Sequence, residues 1–261
     1  MRARDLYFVL AMFCVAAPAA SQEVARPDFS GLWDRGGTVG SEYRQPESGP
    51  GPLINTAARG EGAGWRGNYD SPILQPWAAA VVKEKVDKDI AGINIPEPKE
   101  LCVPMGVPHI LQLNGVIQVL PGSEVFTILY MRMMQARFIE VDGEHRADLE
   151  PSYYGHSVGR WEGDVFVVDT VGFNDKTPID MFATPHTEQL HVVERYRLVD
   201  GGETLRVDFT IDDPAAFTTP WSAYVTYGRP IDDYLEFVCM ENNRFPDGSP
   251  VPSPIDETPD F

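Results

Sequence analysis

Cationic residues are scarce in this sequence. Only 21 of the 261 residues are Lys or Arg, against 39 Asp or Glu, which gives a formal net charge of −18 at pH 7. Such an acidic surface repels phosphate backbones and anionic lipids, so the composition argues against nucleic-acid binding and against binding to membrane surfaces. A polyanionic substrate is disfavoured for the same reason, whereas a neutral or cationic small molecule is compatible with this charge.

Cysteine is also scarce, with three residues in the chain. Cys14 lies in an N-terminal segment that we expect to be removed, which leaves Cys102 and Cys239. In an exported protein, two cysteines are most simply explained by one disulfide, which would close a long loop and stabilise the fold by roughly 4–5 kcal/mol. Two buried thiols are the alternative, and the exported location favours the disulfide.

Long apolar runs are missing beyond the N-terminus, so no transmembrane helix is predicted after processing. The N-terminus reads MRARDLYFVLAMFCVAAPAASQ. It combines a basic start, an apolar run over residues 6–17 that is too short to span a bilayer, and small residues from Ala17 onward. This pattern is typical of a secretory signal peptide, predicted over residues 1–21, and the bulky Phe13 argues against lipoprotein cleavage at Cys14. We therefore expect a periplasmic or secreted protein.

The remaining sequence has a globular composition and a largely period-two pattern. Hydrophobic residues make up 43% of the chain, which is enough for a core. One amphipathic helix is predicted over 73–92, after a long Gly/Pro-rich loop over 36–72. The apolar face of this helix comprises Trp77, Val81, Val82, Lys85, Val86 and Ile90. The predicted strands, about ten in all, lie within 26–35, 116–131, 135–141, 155–171, 190–211 and 222–240.

Strands in near-neighbour order indicate an antiparallel up-and-down meander. Such a sheet removes its edges by closing into a barrel. We therefore predict an all-β, lipocalin-like barrel in a single domain over residues 22–243, followed by a Pro-rich acidic tail over 244–261.

The hairpin of residues 190–211 can be interpreted by its register. If Gly201 and Gly202 form the turn, one face is almost wholly apolar and must be buried. That face pairs Val192, Glu194, Tyr196 and Leu198 with Ile211, Phe209, Val207 and Leu205. Glu194 therefore points into the barrel, where a carboxylate must be paired, hydrogen-bonded or protonated. It is either a functional acid–base group or a structural residue paired with an internal Arg or Tyr.

The other face of this hairpin is polar and is expected to contact water. The same register places His191 opposite Asp212, which predicts a solvated or salt-bridged histidine. The pairs also include Arg195 with Asp208 and the like-charged Arg197 with Arg206.

The hairpin of residues 155–171 allows two registers. A two-residue Glu162-Gly163 turn places His156 opposite Asp169, and a bulged turn places it opposite Val168. A slip of one residue changes the face on which every side chain lies, so the sequence leaves this choice open.

Both registers leave His156 at the open end of its hairpin, beside Tyr153 and Tyr154. His186 lies in the turn-rich segment TPHTE just before the next strand. Small-molecule sites form at strand ends and loops around barrel mouths, so His156 and His186 are predicted to meet over one opening.

Known catalytic and metal-binding motifs are not found. None of the five histidines shows HExxH spacing, and the segment GFNDKTPID lacks the spacing of an EF-hand. The segment GHSVG runs into a hairpin strand, whereas the similar GxSxG motif needs a strand–turn–helix setting. GEGAGWRG lacks the lysine of a phosphate loop. A metal site assembled in three dimensions from His156, His186 and a carboxylate is the less favoured alternative. We therefore predict no cofactor and no metal, which leaves general acid–base chemistry.

The candidate site combines these residues around an apolar interior. His186 and His156 would act as base and acid, Glu194 would orient or supply a proton, and Tyr154 would polarise an oxygen. The candidate substrate-binding residues are Tyr153, Arg160 and Trp33.

Two resemblances accompany these patterns. The segment DFSGLW is similar to the GxW motif of lipocalins, in which the tryptophan plugs the closed end of the barrel. The chain also resembles a widespread family of exported bacterial proteins at DFSGLW, LCVPMGVP, GHSVGRWEGDVFVVDTVGFND, PHTEQLHVVERYR, TIDDPAAFTTPW and LEFVCMENN. This second resemblance covers nearly the whole mature chain. It implies a single exported domain and carries no catalytic assignment.

The expected function is a cofactor-independent enzyme of the lyase, isomerase or hydratase type. Its substrate would be a neutral, largely apolar or aromatic small molecule, because the interior is apolar and the surface acidic. A non-catalytic binding protein for a hydrophobic ligand is the first alternative. A structural module of the cell envelope, with a barrel filled by side chains, is the second.

Overall fold

The computed structural model describes residues 26–36, 42–57, 64–93, 95–230, 236 and 238. Nine strands form one sheet in chain order. They are β1 (Gly31–Asp34), β2 (Val116–Pro121), β3 (Val125–Tyr130), β4 (Gln135–Val141), β5 (His156–Glu162), β6 (Val165–Val171), β7 (His191–Val199), β8 (Thr204–Asp212) and β9 (Trp221–Tyr227). One α-helix, α1 (Pro76–Ile90), lies between β1 and β2, and short 3-10 turns include Pro98–Leu101 and His109–Gln112.

The sheet curls into a nearly closed barrel. Asp34 and Gly228 exchange two backbone hydrogen bonds of 2.9 and 2.8 Å, which join the end of β1 to the residue after β9. The predicted all-β barrel, with a single α-helix among the described residues, is therefore confirmed. Of the ten predicted strands, nine are present, and the tenth, over residues 233–240, lies outside the described residues except for two of them. The predicted signal peptide and the predicted C-terminal tail also lie outside the described residues.

The prediction of a wholly antiparallel sheet is wrong for one pair of strands. β4 and β5 pair in parallel through Ile139 with Ser157 and two further residue pairs. The connection over residues 142–155 carries the chain back along the barrel, so that β5 starts from the same end as β4.

The register predicted for β7 and β8 is confirmed. Glu194 lies opposite Phe209, Arg197 lies opposite Arg206, and His191 lies opposite Asp212. The turn is longer than the expected two residues, because the last strand pair is Val199 with Thr204.

Both registers considered for β5 and β6 are wrong. The pairs Glu162 with Val165 and His156 with Val171 leave Gly163 and Asp164 as the two-residue turn. Gly163 takes a positive φ of 66°, a backbone conformation that glycine adopts without steric cost. The turn therefore lies one residue later than the sequence interpretation placed it.

Helix α1 is shorter than predicted and buries a narrower face. The buried residues are Ala78, Val82 and Val86. Trp77, Val81 and Ile90 of the predicted apolar face are exposed. The Trp77 indole nevertheless donates to the carbonyl of Ala215 at 2.7 Å. No helix in the described ranges is long and apolar enough to cross a membrane.

Candidate functional site

Glu194 lies inside the barrel, fully buried, as the register predicts. Its carboxylate accepts hydrogen bonds from both terminal nitrogens of Arg137, one at 2.8 Å, and from the Tyr196 hydroxyl at 2.8 Å. Arg137 also donates to Ser157 at 3.1 Å and to Thr170 at 2.9 Å. Of the two interpretations of Glu194, these contacts match the structural one, in which an internal Arg and Tyr pair with the carboxylate.

His156 lies on the outer face of the barrel. Its Nδ1 is 2.9 Å from Nδ1 of His145, and its Nε2 is 3.3 Å from a carboxylate oxygen of Glu140. The chain of contacts continues through Asp169, whose Oδ1 is 3.0 Å from His145 and 2.9 Å from His191. Within the described residues, no group of three or more His, Cys, Asp or Glu side chains is arranged to hold a metal ion.

His186 lies in the connection between β6 and β7. Its Nδ1 donates to the carbonyl oxygen of Thr187 at 3.0 Å, and its ring packs edge-on against Phe173 with centroids 6.3 Å apart. Burial lowers the pKa of His186 below its ordinary value. Since His156 faces outward and His186 faces Phe173, the structure does not bring these two histidines together over one opening.

The other predicted site residues are also dispersed. Trp33 is fully buried in the core, and its indole N–H donates to the carbonyl of Phe29 at 2.8 Å. The guanidinium of Arg229 lies 4.0 Å from the centroid of the Trp33 ring. Arg160 is exposed and pairs with Glu162 at 2.9 Å. Tyr153 and Tyr154 are half-buried just before β5, and burial raises the pKa of Tyr154. Trp33 in the core and Arg160 at the surface therefore do not share one site.

A cleft of about 320 Å³ lies elsewhere, between the segment over 95–103 and the connection over 175–185. Helix α1 contributes Lys85 at its edge, and the acidic and basic side chains of Glu97, Asp175 and Lys176 also border it. Its apolar lining consists of Ile95, Pro96, Pro98, Leu101, Val103, Pro178, Met181, Ala183 and Pro185. The cleft is therefore mostly apolar, and its bordering charges are close to balanced.

His109 is a buried polar residue in the lining of this cleft. It is 1% exposed, and its Nδ1 is 3.1 Å from the carbonyl oxygen of Pro178. Because a carbonyl oxygen only accepts, Nδ1 carries the proton and Nε2 keeps its lone pair. Nε2 is buried and has no hydrogen-bond partner in the described part of the chain. Burial lowers the pKa of His109 to about 3, so the ring is neutral at neutral pH.

Asp180 is the second buried titratable group of the cleft. Its carboxylate accepts from the Thr184 hydroxyl at 2.7 Å and from the backbone N–H groups of Phe182 and Thr184. Burial raises the pKa of Asp180 to about 6, and these hydrogen bonds limit the rise. The residue shapes the cleft wall by fixing the turn over 180–184.

A second cleft of about 240 Å³ shares three lining residues with the first, namely Glu97, His109 and Met181. It is the more polar of the two, since it also contains Asn114 and Gln112. His109 thus lies at the junction of an apolar and a polar cleft.

The sequence interpretation did not select His109. Its contacts come from segments far apart in the chain, since Pro178 is 69 residues away. The available signal was a histidine inside the apolar segment VPHIL, where a polar side chain must find a buried partner.

No protein-family model and no curated protein matches the chain. Function is therefore inferred from the geometry of the site.

Proposed function

We propose that this protein binds a small, uncharged and mainly apolar molecule in the cleft beside His109. The ligand would place its apolar part against the proline- and aliphatic-rich wall and donate one hydrogen bond to Nε2 of His109. A hydroxyl, phenol or N–H group is the matching donor. The observation that carries the proposal is the buried, unpaired Nε2 at the edge of an apolar cleft.

Binding is favoured over catalysis by the electrostatics of His109. A general base works best when its pKa is near the working pH, and burial lowers the pKa of His109 to about 3. As a neutral ring with a fixed tautomer, it is better suited to accept a hydrogen bond than to remove a proton.

The cofactor-independent proton-transfer enzyme is the second candidate, and one observation favours it. Asp180 lines the same cleft, and burial raises its pKa to about 6, within the range useful for general acid–base catalysis. An Asp180→Asn variant that binds the natural ligand but no longer converts it would support this candidate.

The binding proposal can be tested by calorimetric titration with p-cresol and toluene, two probes that differ by one hydroxyl group. Wild-type protein is expected to bind p-cresol more tightly than toluene. The His109→Phe change removes the acceptor and keeps an aromatic ring, so p-cresol affinity should fall about tenfold, or about 1.4 kcal/mol. Toluene affinity should change little, which controls for the shape of the cleft.

The control variant is His191→Gln, a change on the outer face of β7, and it should leave the affinity for both probes unchanged. Equal affinity of wild-type and His109→Phe protein for p-cresol would contradict the proposed role of Nε2.

We also propose that the chain is exported, with a signal peptide over residues 1–21 and a disulfide between Cys102 and Cys239. The N-terminal composition and the resemblance to exported bacterial proteins support this. Intact mass of protein purified from the periplasm should correspond to a chain beginning near residue 22. Alkylation should modify both cysteines only after reduction. A full-length cytoplasmic protein in which Cys102 and Cys239 both react without reduction would contradict the proposal.

A further inference from the structure

The outer wall of the barrel carries an arginine-rich groove that is separate from the His109 cleft. The groove has a volume of about 270 Å³ and is lined by Arg195, Arg197 and Arg206 from β7 and β8. The segment over 46–48 forms its wall, and Tyr224 of β9 lies at its edge. Such a concentration of guanidinium groups is unexpected in a chain of net charge −18.

Each of two carboxylates in this region serves two guanidinium groups. Asp208 is 2.7 Å from Arg206 and 2.9 Å from Arg197. Glu162 is 2.8 Å from Arg195 and 2.9 Å from Arg160. Four cations therefore share two anions.

Two further charged residues of opposite sign lie beside these four ion pairs. Glu47 lines the groove, and the guanidinium of Arg44 lies 6.0 Å from the Tyr224 ring. Among the residues that line the groove, three arginines face two carboxylates, Asp208 and Glu47, which is an excess of one positive charge. Overall charge acts weakly here, because fields between exposed charges are largely screened beyond about 8–10 Å at 0.10–0.15 M salt.

The cross-strand geometry concentrates this charge. Arg197 lies directly opposite Arg206, a like-charged pair that is unfavourable without an intervening anion. The guanidinium of Arg206 lies 3.9 Å from the centroid of the Tyr224 ring, which packs against it and restricts its orientation. Its Nε and Nη2 atoms donate to Asp208 at distances of 2.7 to 3.2 Å, so Nη1 is the atom that can donate to an oxygen of a phosphate group.

We propose that this groove binds a small dianion that carries a phosphate group, either inorganic phosphate or a phosphate monoester. The dianion adds negative charge where four guanidinium groups share two carboxylates. Its oxygens accept from Arg197 and Arg206, and Arg195 borders the same space. This proposal is independent of the neutral ligand proposed for the His109 cleft.

The test is a calorimetric titration with sodium phosphate and with phenyl phosphate at constant ionic strength, maintained with sodium chloride. Wild-type protein is expected to bind at least one of them, and the stronger binder identifies free phosphate or the ester as the better match. Arg197→Gln and Arg195→Gln should each lower the affinity, with at least a tenfold loss for Arg197→Gln. Arg146→Gln removes an exposed arginine outside the groove and is the matched control.

Three results would overturn the proposal. The first is no heat beyond that of sodium chloride with either probe. The second is equal affinity in wild-type and both groove variants, and the third is an equal loss in Arg146→Gln, since each means that the groove is not the binding site. Far-UV circular dichroism of each variant establishes that the fold is retained.

Discussion

At the scale of single residues, the most consequential contact is the buried pair of Arg137 and Glu194. Removing one partner of such a pair leaves an uncompensated charge in the interior. Glu194→Ala should therefore lower the free energy of unfolding by about 3–5 kcal/mol, measured by urea denaturation. The exposed Glu203→Ala change is the control and should have little effect.

A double change tests whether the pair itself is needed. Arg137→Met combined with Glu194→Leu removes both charges and should recover much of the stability lost in Glu194→Ala. If the double variant is as unstable as the single one, the loss comes from packing and not from an unpaired charge.

His109 should make the protein sensitive to acid. Its folded pKa of about 3 lies below the ordinary value of 6.5, so the unfolded chain gains a proton on this residue before the folded protein does. The contribution of neutral His109 to the free energy of unfolding is therefore complete above pH 6.5. It is lost as the pH falls toward 3, by about 1.4 kcal/mol per pH unit. Asp180 has the opposite effect on the free energy of unfolding. Because its folded pKa is raised to about 6, the folded protein takes up this proton first, and stability increases as the pH falls from about 6 to 3.8.

The His109→Phe variant separates these two effects. The stability of wild-type protein relative to the variant should be about 2–3 kcal/mol smaller at pH 4.5 than at pH 7.5, measured by urea denaturation at both values. A difference that does not change with pH would show that His109 titrates normally in the folded protein.

At the scale of elements, alternation of side chains predicted more than turn composition did. The apolar face of β7 and β8 fixed their register, because a slip of one residue would bury Arg195 and Asp208. The β5–β6 hairpin has apolar residues on both faces of β6, including Val167 and Val168, so alternation could not select a register there. Gly163 was therefore placed second in a Glu162-Gly163 turn, whereas it is the first residue of a Gly163-Asp164 turn.

Gly159 shows how closely these elements pack. A Cβ atom at this position would lie 2.9 Å from Cγ2 of Ile139 on β4 and would also overlap the Phe166 ring. Gly159→Ala should destabilise the protein by about 1–3 kcal/mol through overpacking, measured as a lower midpoint of urea unfolding. Gly228→Ala is the matched control, since no atom lies within 4 Å of its added Cβ, and a similar loss there would contradict the explanation.

At the scale of the whole molecule, the sequence predicted the barrel and the inward position of Glu194 but not the partners of that residue. Arg137 lies on β4, 57 residues from Glu194, and only closure of the sheet brings them together. The same holds for the His109 cleft, whose walls come from separate connections at 95–103 and 175–185. Local patterns report which face a side chain occupies, whereas a site assembled from distant loops depends on their three-dimensional course.

The seam between Asp34 and Gly228 has a consequence for synthesis of the protein. β1 is translated well before β2, which begins at residue 116, and its partner at residue 228 is translated after the nine strands of the described sheet. Until Gly228 has been translated, β1 can pair with β2 alone, and the barrel cannot close. A nascent chain halted before that residue would expose two unpaired strand edges, the kind of surface that aggregates or recruits a chaperone.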